Sequence, residues 1–259
     1  MKQSQTICLG IAALIGLGSA LLLAAAPPAT QPADPILLPK PDADGFISLF
    51  NRKDLYGWEG LPGYWSVKDG AIDGTETKAN SKQTFLVLSA SKADPTRFSN
   101  FELRLNYRFT GPAGNSGIQV RSKMMIPETY RVGGYQADMD TIRPYDANIY
   151  DEGDQSGGRK IMANRGFKTT WDASSIRKEE PLPENADALK KFVNPPGQWN
   201  ALAIVADGPH ITTTLNNHLM VDLYDNSPSA LKDGLIAIQL HMGYDMSIQV
   251  KDIRIRFLH

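Results

Sequence analysis

Phe101-Glu102-Leu103-Arg104-Leu105-Asn106-Tyr107-Arg108-Phe109 alternates apolar and polar side chains over nine residues without interruption. Neighbouring side chains of an extended backbone point to opposite faces, so this period of two describes a strand with one buried face and one wet face. The last segment carries the same rhythm with a single break. Ile248 and Val250 keep one phase while Ile253, Ile255 and Phe257 keep the other, so an extra residue near Lys251–Asp252 has to be absorbed as a bulge. From Trp199 to Ala206 the stretch WNALAIVA is apolar on both faces after Asn200, the pattern of a strand enclosed within a sheet. Shorter strands are expected at 46–50, 64–67, 84–89, 117–121, 134–139, 211–215, 218–223 and 235–241, parted by turn signals such as Asp69-Gly70 and Asn216-Asn217. Only 184–193 reads as a helix.

Many strands, long connections and no βαβ rhythm predict an all-β fold, a two-sheet antiparallel jelly-roll sandwich with one minor helix. Composition agrees: 22 Gly, 17 Pro and nine each of Phe and Tyr favour strands joined by turns over long helices. With 27 Lys and Arg against 28 Asp and Glu, the 259-residue chain lacks the basic excess of a nucleic-acid or anionic-membrane binder. At 42% hydrophobic and 21% charged it is neither a disordered polyelectrolyte nor a multi-span membrane protein.

Residues 7–26, ICLGIAALIGLGSALLLAAA, carry no charge, follow Lys2 and end in small residues. That is the layout of a signal peptide, or of an N-terminal anchor if uncleaved, because the run approaches the ~20 residues that span a bilayer. Either way the body is expected to be exported, to the periplasm, cell envelope or extracellular space. Cys8 stands at the head of the run instead of closing it, which argues against lipid attachment, and loss of residues 1–26 removes the sole cysteine. Disulfides, cysteine nucleophiles and Cys-ligated zinc are thereby excluded from the mature body. Residues 27–44 are rich in proline and predict an extended tether, with the folded domain over 45–259.

Strand phase then selects one polar face. Ile118 and Val120 oppose Gln119 and Arg121; Tyr135, Ala137 and Met139 oppose Gln136 and Asp138; Ile236, Ile238 and Leu240 oppose Gln239 and His241. If these strands are neighbours, their polar sides form a patch of amide, carboxylate, guanidinium and imidazole groups suited to hydroxyl-rich ligands. The same alternation also describes any solvated sheet face.

The ordered blocks Gly45-Phe46-Ile47-Ser48-Leu49-Phe50-Asn51, Phe101-Glu102-Leu103-Arg104, Gly114-Asn115-Ser116-Gly117-Ile118, Gly134-Tyr135-Gln136-Ala137-Asp138, Ile149-Tyr150-Asp151-Glu152, Gln198-Trp199-Asn200 and Ile253-Arg254-Ile255 resemble the 3-keto-disaccharide hydrolase family over about 45–258. The resemblance implies a concanavalin A-like jelly roll, related to glucanases and laminin-G modules, whose concave sheet holds ligand. It also implies cleavage of a glycosidic bond in a sugar already oxidised to a ketone at C3. A C3 carbonyl acidifies the C2 proton, so a base can remove it and the C1 substituent can leave by elimination before water adds. Such a route needs a base near C2, donors around the C3 oxygen and an acid near the leaving oxygen.

The catalytic candidates are His241, Asp138 and Glu152. His241 has a reference pKa of ~6.5, close to neutral, and shares its phase with Gln239. Asp138 and Asp140 come from one strand and cannot flank a bond from opposite sides, so Asp138 is retained and Asp140 is read as a turn residue leading to Pro144. Glu152 shares the phase of Tyr150, whereas Asp151 faces the other way. Candidate substrate ligands are Asn115, Gln119, Arg121, Gln136, Tyr150, Gln239 and Trp171. Arg121 suits an enolate oxygen or a carboxylate partner, and Trp171, in the irregular 164–183 region, suits an exposed sugar platform. Trp65 and Trp199 are expected in the core, His210 and His218 at an exposed hairpin, and 153–158 in a mobile loop. Asp42-Ala43-Asp44-Gly45 opens like a calcium loop but lacks the later ligands, so neither a metal nor a cofactor is expected. The competing functions are a non-catalytic carbohydrate-binding module and a laminin-G-like protein-interaction domain. A carbohydrate is the expected partner, nucleic acid is not, and a membrane is one only through an uncleaved leader.

Overall fold

A computed structural model describes residues 38–111, 113–141 and 146–259, which fall in one compact unit, Pro35–His259. The leader, residues 1–26, and the first part of the tether lie outside the described residues. Of the rest of the tether, Leu38 packs against the core and residues 42–45 form a turn closed by the Gly45 N–H on the Asp42 carbonyl.

Among the described residues the strands are β1 Ile47–Ser48, β2 Trp58–Glu59, β3 Trp65–Lys68, β4 Ala71–Glu76, β5 Thr84–Leu88 and β6 Phe101–Phe109. They continue with β7 Asn115–Ile126, β8 Arg131–Asp140, β9 Ile149–Glu152, β10 Ile161–Ala163, β11 Phe167–Trp171 and β12 Arg177–Pro181. The series ends with β13 Asn200–Asp207, β14 His210–Leu215, β15 His218–Asp225, β16 Leu235–Leu240 and β17 Met246–Phe257. A ten-stranded sheet runs β12-β11-β15-β14-β13-β6-β17-β4-β3, with β1 on β17, and a seven-stranded sheet runs β10-β9-β8-β7-β16-β5-β2. All pairings are antiparallel except β11 with β15. The fold is therefore the expected two-sheet sandwich.

β6 shows why. Phe101, Leu103, Leu105, Tyr107 and Phe109 are buried in the core, where they share one cluster with Ile118 and Val120 of β7, Tyr135, Ala137 and Met139 of β8, and Ile236, Ile238 and Leu240 of β16. The apolar phases of both sheets thus face each other, and removing them from water at roughly 25 cal/mol per Å² is the main force holding the layers. The terminal strand takes up its extra residue at Asp252, whose φ of 56° accompanies the register shift between Lys251 and Arg254. Asp252 there accepts from Asn106 Nδ2 at 2.9 Å and pairs with Arg52.

Three features differ from expectation. The 164–183 region is a β-hairpin, β11 with β12, and the charged β12 closes the sheet as an edge strand, where charge blunts further pairing. Strand 84–89 stops at Leu88 because Ser89–Ala93 turns into a short helix, α1, in which the Ser91 hydroxyl donates to the Leu88 carbonyl at 2.7 Å. The second helix, α2, spans only Ala186–Lys190, capped by the Asn185 side chain accepting from the Ala188 N–H at 2.9 Å.

Candidate active site

Register assembles the polar face. Asn115, Gly117 and Gln119 of β7 lie opposite Asp140, Asp138 and Gln136 of β8, while Gln136 and Gly134 lie opposite Tyr150 and Glu152 of β9. Directly paired residues share a face, so all these side chains stand on the outer side of the seven-stranded sheet. Gln239 joins them from β16, where Ala237 pairs with Gln119. A hydrogen-bonded chain runs across three of them: the Ser122 hydroxyl donates to Gln119 Oε1 at 2.6 Å, Gln119 Nε2 to Gln136 Oε1 at 2.6 Å, and Gln136 Nε2 to Asp138 Oδ1 at 2.8 Å. Gly117 makes this possible, because a Cβ there would overlap Gln136 Cγ and Cδ.

The carboxyls on this face are not ordinary. Burial drives the Asp138 carboxyl well above the usual aspartate range; the Gln136 hydrogen bond opposes the rise, and the Glu152, Asp140 and Asp146 carboxylates add to it. Burial also raises Glu152; the nearby Arg131 and His241 oppose that rise without cancelling it, and Gln83 Nε2 donates to its Oε1 at 3.1 Å. Burial thus favours the protonated form of both carboxyls on this face. His241 follows β16 and turns its Nδ1 to the Met242 carbonyl at 2.7 Å, so Nδ1 is the donor there. Gln83, absent from the sequence reasoning, links the two by accepting from the Met242 N–H at 3.3 Å while donating to Glu152. Its place in the segment entering β5 carries no periodic signal.

Gln239 is 0% exposed, and neither its Oε1 nor its Nε2 has a hydrogen-bond partner; Asn115 Oδ1 is likewise unpaired, while its Nδ2 donates to Asp140 Oδ2 at 3.0 Å. Beside Gln239 the face becomes apolar, with Phe85, Val87, Ala237 and Leu235 packed under Val132. The β7–β8 hairpin folds over this half and is fastened by Thr84 Oγ1 donating to the Thr129 carbonyl at 2.9 Å. The face therefore offers unspent amide hydrogen bonds next to two proton-bearing groups.

Two expected ligands are elsewhere. Arg121 sits in a bulge, at φ 48° with the register shifting between Val120 and Lys123, and the bulge swings its side chain off the polar face. Its guanidinium donates to the Ser99 carbonyl at 2.6 and 2.9 Å and to the Gly208 carbonyl at 2.6 Å. Trp171 is no exposed platform: it is core, its Nε1 donates to the Met162 carbonyl at 2.9 Å, and the Arg159 guanidinium lies 4.7 Å from its ring. Trp199 departs in the opposite sense, half-buried beneath Arg108 and Lys251 at 4.5 and 4.2 Å. Asp140 is in β8 and not in a turn. The 153–158 loop is fastened to Asp151, whose carboxylate accepts from the Ser156, Gly158 and Arg159 N–H groups. His210 pairs with Asp222 at 2.7 Å and stacks on Tyr224, and His218 stacks on Phe192.

A groove of about 750 Å³ crosses the opposite outer face, over Ala201, Ala203 and Val205. Of its carboxylates, Glu102 and Asp252 are paired with arginines, and Asp42 accepts from the Asp44 and Phe46 N–H groups. No group of three or more His, Cys, Asp or Glu among the described residues is arranged to hold a metal ion.

Comparison with known proteins identifies the family and the fold. The family described as a 3-keto-alpha-glucoside-1,2-lyase-like domain matches residues 45–256. A 3-keto-disaccharide hydrolase of Bacteroides thetaiotaomicron is 33% identical over 85 residues, a segment covering 30% of this chain and 27% of that protein. The match thus spans only about a quarter of the relative's length. A provisionally designated glycosyl hydrolase of Parabacteroides distasonis superposes with a TM-score of 0.54 at 19% identity, covering 82% of this chain and 99% of the other. The Bacillus subtilis carbohydrate-binding module CBM66 does so with a TM-score of 0.50 at 15% identity, covering 77% and 95%. Both likenesses are of fold.

Proposed function

This chain belongs to the 3-keto-alpha-glucoside-1,2-lyase-like family, and from that premise we propose that it cleaves 3-keto-glycosides by elimination followed by hydration. Glu152, made more basic by burial while Arg131 opposes that rise and Gln83 donates to its Oε1, takes the C2 proton made acidic by the C3 ketone. The electron pair from that C–H bond first forms the enolate and then the C1–C2 double bond as the C1–O bond breaks. Asp138, kept protonated by burial with Gln136 holding its Oδ1, gives its proton to the departing oxygen. Gln239 supplies an unpaired amide donor for the C3 oxygen, whose charge grows in the enolate. Water then adds across C1 and C2, so the net reaction is hydrolysis and no oxocarbenium ion is needed.

The observation that carries this reading is the pairing, on one sheet face, of two buried carboxyls, both raised by burial, with a buried amide that has no protein partner. Export to the periplasm or beyond is part of the proposal, and the mass of the native N-terminus tests it. The reaction is tested by incubating the purified protein with a 3-keto-disaccharide and its unoxidised parent in deuterated water. Cleavage of the keto-sugar alone, with deuterium at C2, is expected. Asp138→Asn and Glu152→Gln each lower turnover by about 100- to 10,000-fold while binding persists. Binding of sugar without turnover by the native protein would instead identify a carbohydrate-binding module, the reading kept open by the likeness to CBM66. Retention of the original C2 hydrogen during cleavage would rule out elimination.

A further inference from the structure

Beyond the end of β8 a second cavity of about 350 Å³ opens, walled by Tyr107, Phe109, Asp140, Arg165, Val193 and Pro196. Two of its polar side chains have unspent donors. Arg165 is 4% exposed, and neither its Nε nor its Nη1 has a hydrogen-bond partner; the Tyr107 hydroxyl, equally buried, has none either. The carboxylate facing Arg165 is Asp146, at 3.9 Å, beyond hydrogen-bond distance. Burial raises the Asp146 carboxyl to about 6 although its Oδ1 accepts from the Asp140 N–H at 3.2 Å. Buried donors and acceptors are paired in the great majority of cases, so three donors without a protein partner beside a loosely held carboxylate are groups that water fills in the free protein and ligand hydroxyls can replace.

We propose that this cavity is a second sugar-ring subsite, holding the ring beyond the scissile bond; the assignment rests on the function proposed above. Hydroxyl oxygens accept from Arg165 and Tyr107 while a hydroxyl hydrogen is donated to Asp146, with Phe109, Val193 and Pro196 against the apolar ring face. The wall balances Asp140 and Asp146 against Arg165 and Lys190, so a neutral polyol finds both donors and acceptors there. Asp140 joins the two sites: it lines the cavity and also receives Asn115 Nδ2 on the polar face. Asp138 stands two residues further along β8, roughly 7 Å away on the same side. A ligand spanning both sites thus carries its glycosidic oxygen past the residue proposed to protonate it.

Calorimetric titration of the full chain carrying Asp138→Asn tests this with two probes, a 3-keto-disaccharide of glucose and methyl 3-keto-glucoside, which has a single ring. Tyr107→Phe added to that background should weaken disaccharide binding about 2- to 10-fold, the worth of one neutral hydrogen bond, and Arg165→Lys at least about 10-fold. Methyl glycoside binding should not change. Tyr107→Phe removes a hydroxyl without a protein partner, so its melting temperature should not fall, and it remains informative if Arg165→Lys does not fold. Unchanged disaccharide binding in a folded Tyr107→Phe variant, or equal weakening of both probes, would overturn the second subsite. In a wall that also carries Asp140, Arg165 and Lys190, ionisation of Asp146 should make a 3-keto-disaccharide whose second ring bears a carboxylate bind more weakly as pH rises through about 6; tighter binding than the neutral sugar would assign the cavity to an anion instead. Binding of neither probe to the parent protein would overturn the function reading and this inference with it.

Discussion

Replacing Gln239 with leucine should make the free protein more stable and a poorer binder at once. The side chain is fully buried, its two amide heteroatoms have no protein partner, and its cross-strand neighbour is Phe85, part of an apolar cluster. Leaving a buried amide unpaired costs about 1–3 kcal/mol, and leucine of similar volume avoids that cost while extending the contact with Phe85. The backbone is unaffected, since the bond from Ser116 Oγ to residue 239 uses its carbonyl. Urea unfolding should therefore show a gain of about 1–3 kcal/mol, with the melting point raised by about 2–4 °C per kcal/mol for a domain of this size. Affinity for a 3-keto-glycoside should fall, by about 5- to 100-fold if the amide makes two neutral hydrogen bonds to it. A leucine variant that is less stable by a kilocalorie or more, or that binds the sugar as the parent does, would show that Gln239 is a structural residue and not a ligand waiting for substrate.

How the face could be read from sequence follows from the period of a strand. In 117–121, 134–139 and 235–241 the alternation placed Gln119, Gln136, Asp138 and Gln239 opposite the apolar residues, and the register brings those four onto one face. The break at Lys251–Asp252 was legible because both flanking phases were long enough to compare. Arg121 failed for the reason that break succeeded: the bulge falls at the end of a short run, with too little sequence beyond it to reveal the changed phase, and one extra residue moves a side chain to the other face. Trp171 failed because β11 is recruited by parallel pairing with β15, a long-range contact that local pattern does not contain. Gln83, Asp146 and Arg165 come from connections outside the strands, where no period acts and only the folded chain brings them to Glu152, Asp140 and Tyr107.

Three further perturbations separate the site from its scaffold. Gly117→Ala places a Cβ on Gln136, so it should break the Gln119–Gln136–Asp138 chain, cost about 1–3 kcal/mol by overpacking and lower turnover at least tenfold; unchanged turnover would deny that chain a role. Arg121→Met leaves the Ser99 and Gly208 carbonyls without their charged donor and should cost about 2–3 kcal/mol in urea unfolding, with KM of the folded fraction unchanged; an altered KM would return Arg121 to the site. Asp146→Asn tests the electrostatics of the second cavity through pH. The folded state holds the Asp146 proton to about 6 against an ordinary value of 3.8, so its contribution to stability is fully present below about 3.8 and is lost as pH rises through about 6. At about 1.4 kcal/mol per unit, this one group should remove about 3 kcal/mol of stability between pH 3.5 and pH 7.5. Other buried carboxyls change stability over the same range, so the quantity to read is the difference in slope between parent and variant. The asparagine variant should lose markedly less stability than the parent over that interval. Equal slopes would mean that Asp146 titrates normally, and that Arg165 and solvent already satisfy it without any ligand.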